Sequence, residues 1–134
     1  MSLKLQSGRQ PPLLAYIDVV LADLVTAVAK NLIELPHGAV VIGGGVVVTQ
    51  VFNSTTSDVL DIGDAGVANR YKNDVDLQAL GLTALVPTGY ITTAPTKITG
   101  TWVSGGGTPT TGAFRLWVEY YVQGRSLSNQ GLDA

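Results

Sequence analysis

His37 is the only histidine in the chain, and it sits between Pro36 and Gly38 in a turn. A zinc centre needs several His, Cys or carboxylate ligands, and a Ser-His-Asp triad needs a base held by an orienting partner. Cysteine is absent, which removes disulfides, thiolate nucleophiles and thiolate metal sites. His37 therefore reads as a surface turn residue. Asp58, Asp61 and Asp64 recur at every third position in SDVLDIGDAG. Clustered acids beside glycine can contribute to the roughly six to eight oxygen ligands that calcium takes. This spacing departs from the EF-hand loop, and on a strand Asp58 and Asp61 point to opposite faces. They read as strand-end and turn residues. Glu34 and Glu119 are the only glutamates, and nothing in the sequence brings them together as the acid pair of a glycoside hydrolase. Gly43–Gly45 and Gly105–Gly107 lack the spacing of phosphate-binding loops. No motif supports a Ser-Lys arrangement. The expectation is a non-enzymatic chain with no catalytic residue, no metal and no cofactor. One binding chemistry stays open. Trp117 and Tyr121 lie two pleats apart on one strand face, where exposed rings can stack on sugars. Burial in a core or at a protein contact is the competing reading for them and for Trp102 and Tyr120.

The elements that must position these residues are strands. Gly112–Arg125 (GAFRLWVEYYVQGR) alternates most regularly. Phe114, Leu116, Val118, Tyr120 and Val122 share one face, and Arg115, Trp117, Glu119, Tyr121 and Gln123 share the other. Its length and aromatic, β-branched content make it a central strand against which others pair. Leu13–Lys30 is apolar on all sides and is ambiguous between helix and strand. Its β-branched residues favour a strand over 14–22 and a turn over Asp23–Lys30. Asn31–Leu35 is a short strand stopped by Pro36 and Gly38. Ala39–Phe52 is a long one, and its triple glycine marks a bulge, a close approach or a bend. The natural reading is a strand that bends there and serves two sheets. Asn53–Ser57 is a turn, and Asp58–Ile62 is a strand closed by Gly63–Gly66. Residues 67–82 are the most charged segment and read as a surface excursion with one helical turn. Strands resume at Leu85–Val86, Tyr90–Thr93 and Lys97–Ser104. Gly105–Gly112 reads as a hairpin-type loop. The spacing predicts an all-β fold, an antiparallel jelly-roll-like β-sandwich of seven or eight strands. An extended arm precedes it at 1–12, the sandwich covers 13–125, and a polar tail follows at 126–134.

Charge and composition bound the partners. The net charge is −2, which argues against nucleic acid. Charged residues make up only 13% of the chain, roughly half the usual share. A small domain with so few charges leaves neutral or apolar surface uncovered, and such surface usually meets a partner. Met1–Pro12 lacks the pattern of a signal peptide. Asp18 and Asp23 interrupt the most apolar run, which argues against a membrane span.

Three stretches carry a resemblance: GAVVIGGGVVVTQVFNSTTSDVLDIGD (38–64), RYKNDVDLQALGL (70–82) and PTGYITTAPTKITGTWVSGGGTPTTGAFRLWVEYYVQGR (87–125). In pattern and phrase the chain resembles small virion structural proteins of tailed bacteriophages, of the capsid cement or decoration type. The resemblance implies a jelly roll on the outer surface of the phage head, bound to the major capsid protein and reinforcing the expanded shell. It implies a virion location and no catalytic residues. Contact residues form no motif in such proteins, so the candidates come from this sequence. They are Lys4 and Arg9 in the arm, Arg70 and Tyr71 in the charged excursion, and Trp117 and Tyr121 on the last strand. A homo-oligomer is expected, with no nucleic acid and no membrane. A head or tail fibre component and a carbohydrate-binding sandwich are the alternatives.

Overall fold

The computed structural model describes Leu5 and residues 9–124. The strands are β1 (Leu13–Val20), β2 (Ala29–Leu35), β3 (Ala39–Gln50), β4 (Ser57–Gly63), β5 (Lys72–Asp76), β6 (Gly81–Ala84), β7 (Thr96–Gly105) and β8 (Ala113–Val122). A 3-10 turn, Leu21–Asp23, follows β1. Two four-stranded sheets face each other, the first in the order β1-β8-β3-β6 and the second in the order β2-β7-β4-β5. The pairing is nested: β1 with β8, β2 with β7, β3 with β6 and β4 with β5, all antiparallel. A long four-tiered hairpin rolled into two layers has this connectivity, which is the jelly roll. Within the sheets, β3 also pairs with β8 and β4 with β7.

Alternation explains which residues fill the space between the layers. From β8, Phe114, Leu116 and Val118 are buried, and Val46 and Val48 of β3 join them. Leu60 and Ile62 of β4 and Ile98 and Trp102 of β7 meet them from the second sheet. β8 is central, flanked by β1 and β3, as its length and patterning predicted.

Several local expectations are corrected. β3 lies entirely in the first sheet and does not bend into the second. Its glycines mark a bulge and a close approach instead. The register shifts between Val41 and Gly43, and Ile42 is left exposed. A Cβ on Gly44, at φ +148°, would run into the Trp117 carbonyl oxygen and come within 2.9 Å of Leu85 Cδ1.

The 67–82 segment holds no helical turn; it supplies β5 and β6. Val75 and Leu77 are buried while Asp74 and Asp76 face out, a period of two rather than 3.6. Leu85–Val86 and Tyr90–Thr93 are not strands. The chain crosses between sheets there, and Leu85 N–H bonds Gly44 O while Val86 N–H bonds Tyr71 O. Ile91 makes a single bridge to Val40. Pro87 and Pro95 bracket this stretch and have no N–H to extend a ladder.

The Gly105–Gly112 loop is not a hairpin, because β7 and β8 belong to different sheets. Asn53 Oδ1 pins it by accepting from Thr110 N–H at 2.7 Å and Thr111 N–H at 3.2 Å. Ala29 and Lys30, expected in a turn, begin β2. Of the arm, Gln10 is anchored. Its side-chain amide donates to Val122 O at 2.8 Å, and its Oε1 accepts from Val122 N–H at 2.8 Å. Extending the β1–β8 register puts Pro11 opposite Val122. Proline cannot donate to that ladder, and the Gln10 amide takes its place. The 126–134 tail lies outside the described residues.

Candidate functional site

The three aspartates of the 58–64 run do separate structural jobs. β4 turns Asp58 inward, where it is fully buried. Its carboxylate accepts from Ser54 N–H at 2.9 Å, Ser54 Oγ at 2.7 Å, Gln78 Nε2 at 2.9 Å and Trp102 Nε1 at 2.9 Å. Burying a carboxylate is costly unless it is hydrogen-bonded in this way. Asp58 thereby ties the 53–57 turn, β7 and the segment after β5 to one point. The Trp102 ring packs on Phe52 with centroids 5.7 Å apart. Asp61 faces the other way and accepts Asp74 N–H at 2.8 Å. Asp64 caps the next turn through Gly66 N–H at 3.0 Å and Val67 N–H at 2.9 Å, and it ion-pairs with Arg70. Among the described residues no three His, Asp or Glu side chains come together as a metal site. His37 is exposed in its turn.

Arg70 and Tyr71 diverge. The Arg70 guanidinium lies 3.7 Å from the centroid of the Tyr90 ring while it holds Asp64. Burial pushes the Asp64 carboxyl up, but hydrogen bonds from Arg70, Val67 and Gly66 and the Arg70 charge outweigh it, and its pKa is lowered. Arg70 lines one wall of an open cleft of about 550 Å³ with Asn31, Glu34, Tyr90 and Lys97. Tyr71 is only 2% exposed and belongs to the core. It offers no surface to a partner: it lies just before β5, where its N–H bonds Ile62 O and its carbonyl accepts Val86 N–H, and its side chain packs in the core. Burial first, then the Asp64 charge, pushes its hydroxyl up to about 12.

The richer surface is the outer face of the first sheet. Register places Tyr16 beside Trp117 and Trp117 beside Gly45, in one row across β1, β8 and β3. The Trp117 indole lies over the glycine, with its Nε1 3.2 Å from where a Gly45 Cβ would sit, and Leu82 of β6 closes over the same spot. Arg115 grips Asp18 with both arms, Nε to Oδ1 at 2.7 Å and Nη2 to Oδ2 at 3.1 Å, and stands 5.0 Å from the Tyr16 ring centroid. The hydrogen bond from Arg115 holds the Asp18 carboxyl below its usual pKa. Leu14, Tyr16, Val47, Arg115, Trp117 and Glu119 line a shallow trough of about 630 Å³. Leu14, Tyr16, Leu82 and Tyr121 are all exposed large apolar side chains on this face.

No protein-family model matches the sequence, and no curated protein matches it. Solved structures match in fold. A chain of the Cyanophage Pam1 capsid asymmetric unit aligns with a TM-score of 0.69 at 23% identity, over 91% of each chain. The chain has the fold of phage-capsid chains. A chain of the capsid of Ralstonia phage GP4 aligns at 0.63 and 17% identity, over 94% of this chain and 93% of that one. A chain of the acid-stable capsid of Helicobacter pylori bacteriophage KHP30 aligns at 0.58 and 18% identity, over 86% and 90%.

The structure thus brings Trp117 and Tyr121 to one face, as the alternation of β8 requires. It keeps Arg70 at a separate cleft and removes Tyr71 to the core. Arg9 is exposed beside the anchored Gln10, and Lys4 lies outside the described residues. Leu14, Tyr16, Asp18 and Leu82 complete the face, and sequence reasoning missed them. In 13–20 both parities are apolar, so no contrast marked the outward side. Leu82 sat in a segment read as a surface excursion with one helical turn.

Proposed function

We propose that this chain is a non-enzymatic structural protein of a phage head, of the cement or decoration type. It binds the major capsid protein on the outer shell and stabilises the capsid. One observation carries the reading: the whole jelly roll, not a fragment of it, aligns with chains of three phage capsids. The carboxylates that first looked reactive support it, since Asp58, Asp61 and Asp64 are engaged in holding the fold. The apolar outer face of the first sheet, with Trp117 and Tyr121, and the basic arm, with Lys4 and Arg9, supply contacts. Arg70 contributes a rigid edge. Copies also contact one another as a homo-oligomer. Modest contacts become strong when many symmetric copies engage at once.

The test is to add the purified protein to expanded capsids that lack it, then pellet them and heat the shells. The protein is expected to co-sediment at a fixed stoichiometry and to raise the temperature at which shells rupture. Failure on both counts overturns the reading. Deleting residues 1–8, which spares Gln10, is expected to weaken co-sedimentation without unfolding the domain; full binding by that variant removes the arm from the contact. One observation favours a second reading, glycan binding. Tyr16 and Trp117 line the same trough as Arg115 and Glu119, and rings beside charged groups suit sugars. Saturable quenching of tryptophan fluorescence by an oligosaccharide would support it.

A further inference from the structure

The four sheet edges are not equivalent. β2 has a register shift between Asn31 and Ile33 and carries Lys30 and Glu34. β5 is the short, charged KNDVD, broken by Asp74 at φ 52°. β6 spans four residues. Short, charged or bulged edges resist pairing with other chains. β1 has none of these devices. LLAYIDVV runs in unbroken register with β8 from Leu13 to Val20. Its one charge, Asp18, is held by Arg115.

The groups left open on this edge follow from the ladder. Val122 turns its N–H and C=O toward the β1 side, to Gln10, whereas Gln123 N–H turns the other way, to Gly38 O. Leu21 N–H bonds Gly112 O, across to the start of β8. Antiparallel strands alternate, so the odd residues of β1 bond β8. The even residues, Leu14, Tyr16, Asp18 and Val20, aim N–H and C=O at the free edge. Val20 N–H is already engaged, by Asp23 Oδ2 at 3.0 Å. At the other end, Pro12 has no N–H. What remains is a set centred on Tyr16, and among the described residues nothing pairs with it.

We propose that β1 pairs antiparallel with β1 of a second copy, across a two-fold axis at Tyr16. Tyr16 then faces Tyr16, and Leu14 of each copy faces Asp18 of the other. Each opposed pair exchanges two bonds, about six in all. Opposed residues share a face, so the outward side chains of both copies stay outward. The two Asp18 carboxylates are not opposed, and each keeps its own Arg115. The ladder stops where Pro12 meets Val20, one lacking an N–H and the other having it occupied. A second copy presents the same three open residues in the matching register, so the edge is its own complement and Pro12 and Val20 close both ends of the ladder together. The first sheets of two protomers become one continuous sheet, and their Leu14–Tyr16–Trp117 patches become contiguous. This pairing rests on the self-association within the proposed function and does not depend on the capsid contact.

The test uses the full chain in solution, without capsids. The protein has no cysteine, so Tyr16→Cys introduces a single thiol. Opposed residues of a bonded pair lie about 5.5 Å apart at Cα, within reach of a disulfide. Oxidation is expected to convert most Tyr16→Cys protein to a covalent dimer. Leu82→Cys, at a position 60% exposed against 61% for Tyr16, is expected to stay at least tenfold behind. Leu14→Cys and Asp18→Cys are each expected to form no disulfide-linked dimer alone and to cross-link when mixed. Light scattering is expected to give a dimer mass for the unmodified protein and a monomer mass for Tyr16→Lys, which sets two ammonium groups together on the axis. A monomer mass for the unmodified protein at every concentration, a disulfide-linked Leu14→Cys homodimer, or equal oxidation of Leu82→Cys would each overturn the pairing. If dimers fail while co-sedimentation with capsids persists, the pairing alone is wrong. If dimers form and co-sedimentation fails, the capsid reading alone is wrong.

Discussion

Replacing Asp58 with alanine removes an acceptor that four buried or half-buried donors share. Two of those donors have somewhere else to go. Ser54 Oγ keeps Ser104 Oγ at 2.8 Å, and Gln78 Nε2 keeps Ser54 O at 2.8 Å. Ser54 N–H and Trp102 Nε1–H are left without a partner. An orphaned buried donor costs about 1–3 kcal/mol, and removing the carboxylate returns part of its own desolvation cost. The expected net loss is about 3–4 kcal/mol, a large fraction of the roughly 5–15 kcal/mol that holds a domain together. Urea unfolding followed by tryptophan fluorescence reads it as a lower midpoint at constant slope. A melting scan should show a fall of roughly 10 °C or more. Trp102→Phe removes one of the orphans at source. Added to Asp58→Ala it should cost at least about 1 kcal/mol less than it does alone. If Asp58→Ala costs under about 1 kcal/mol, or if the two changes simply add, Asp58 is not the hub described.

Gly44→Ala places a methyl against the Trp117 carbonyl and Leu85, so it should destabilise by about 3 kcal/mol or more. Gly43→Ala meets only Glu119 Oε1, at 3.6 Å, and should change unfolding by under about 1 kcal/mol in the same urea assay. The raised pKa of Tyr71 gives stability that is complete below pH 10 and is lost as pH climbs toward about 12. Tyr71→Phe should flatten that alkaline limb in pH-dependent melts. Asp64 has a lowered pKa, so its contribution is present above pH 3.8 and fades as pH falls through the folded value. Asp64→Asn should lose stability at neutral pH and little further in acid. Gln10→Ala deletes both bonds to Val122, which should cost about 1–2 kcal/mol and speed hydrogen exchange at the Val122 amide.

The sequence exposes the fold where one face of a strand is apolar and the other is not. β8 was legible for that reason, and so was β4, whose boundaries fall within one residue of those expected. β1 resisted because its even residues, Asp18 apart, are as apolar as its odd ones, although they lie exposed on the outer face. The charged stretch at 67–82 hid β5 because Val75, Leu77, Ala79 and Leu80 fit a helical period as well as a strand. The pairing of Val75 and Asp76 with β4, and the exposure of Leu80, break that tie. Whether the triple glycine let β3 reach a second sheet, or let the Trp117 indole and its backbone come close, depended on a neighbour far along the chain. The Asp58 hub was invisible for a similar reason: Ser54 is close in sequence, while Gln78 and Trp102 arrive only through the roll.

The nested pairing also orders events in time. Leu60 meets Val75 close by along the chain, Val46 reaches to Thr83, Ile33 to Ile98, and Ile17 all the way to Leu116. Each tier closes a longer loop than the one inside it, and longer closures cost more entropy and form more slowly. Of the eight described strands, β1 leaves the ribosome first, yet its ladder partner β8 is made after the other seven. The strand with the least protected edge therefore waits longest for cover, and crowded synthesis is where a chain of this design is most exposed to pairing with the wrong neighbour.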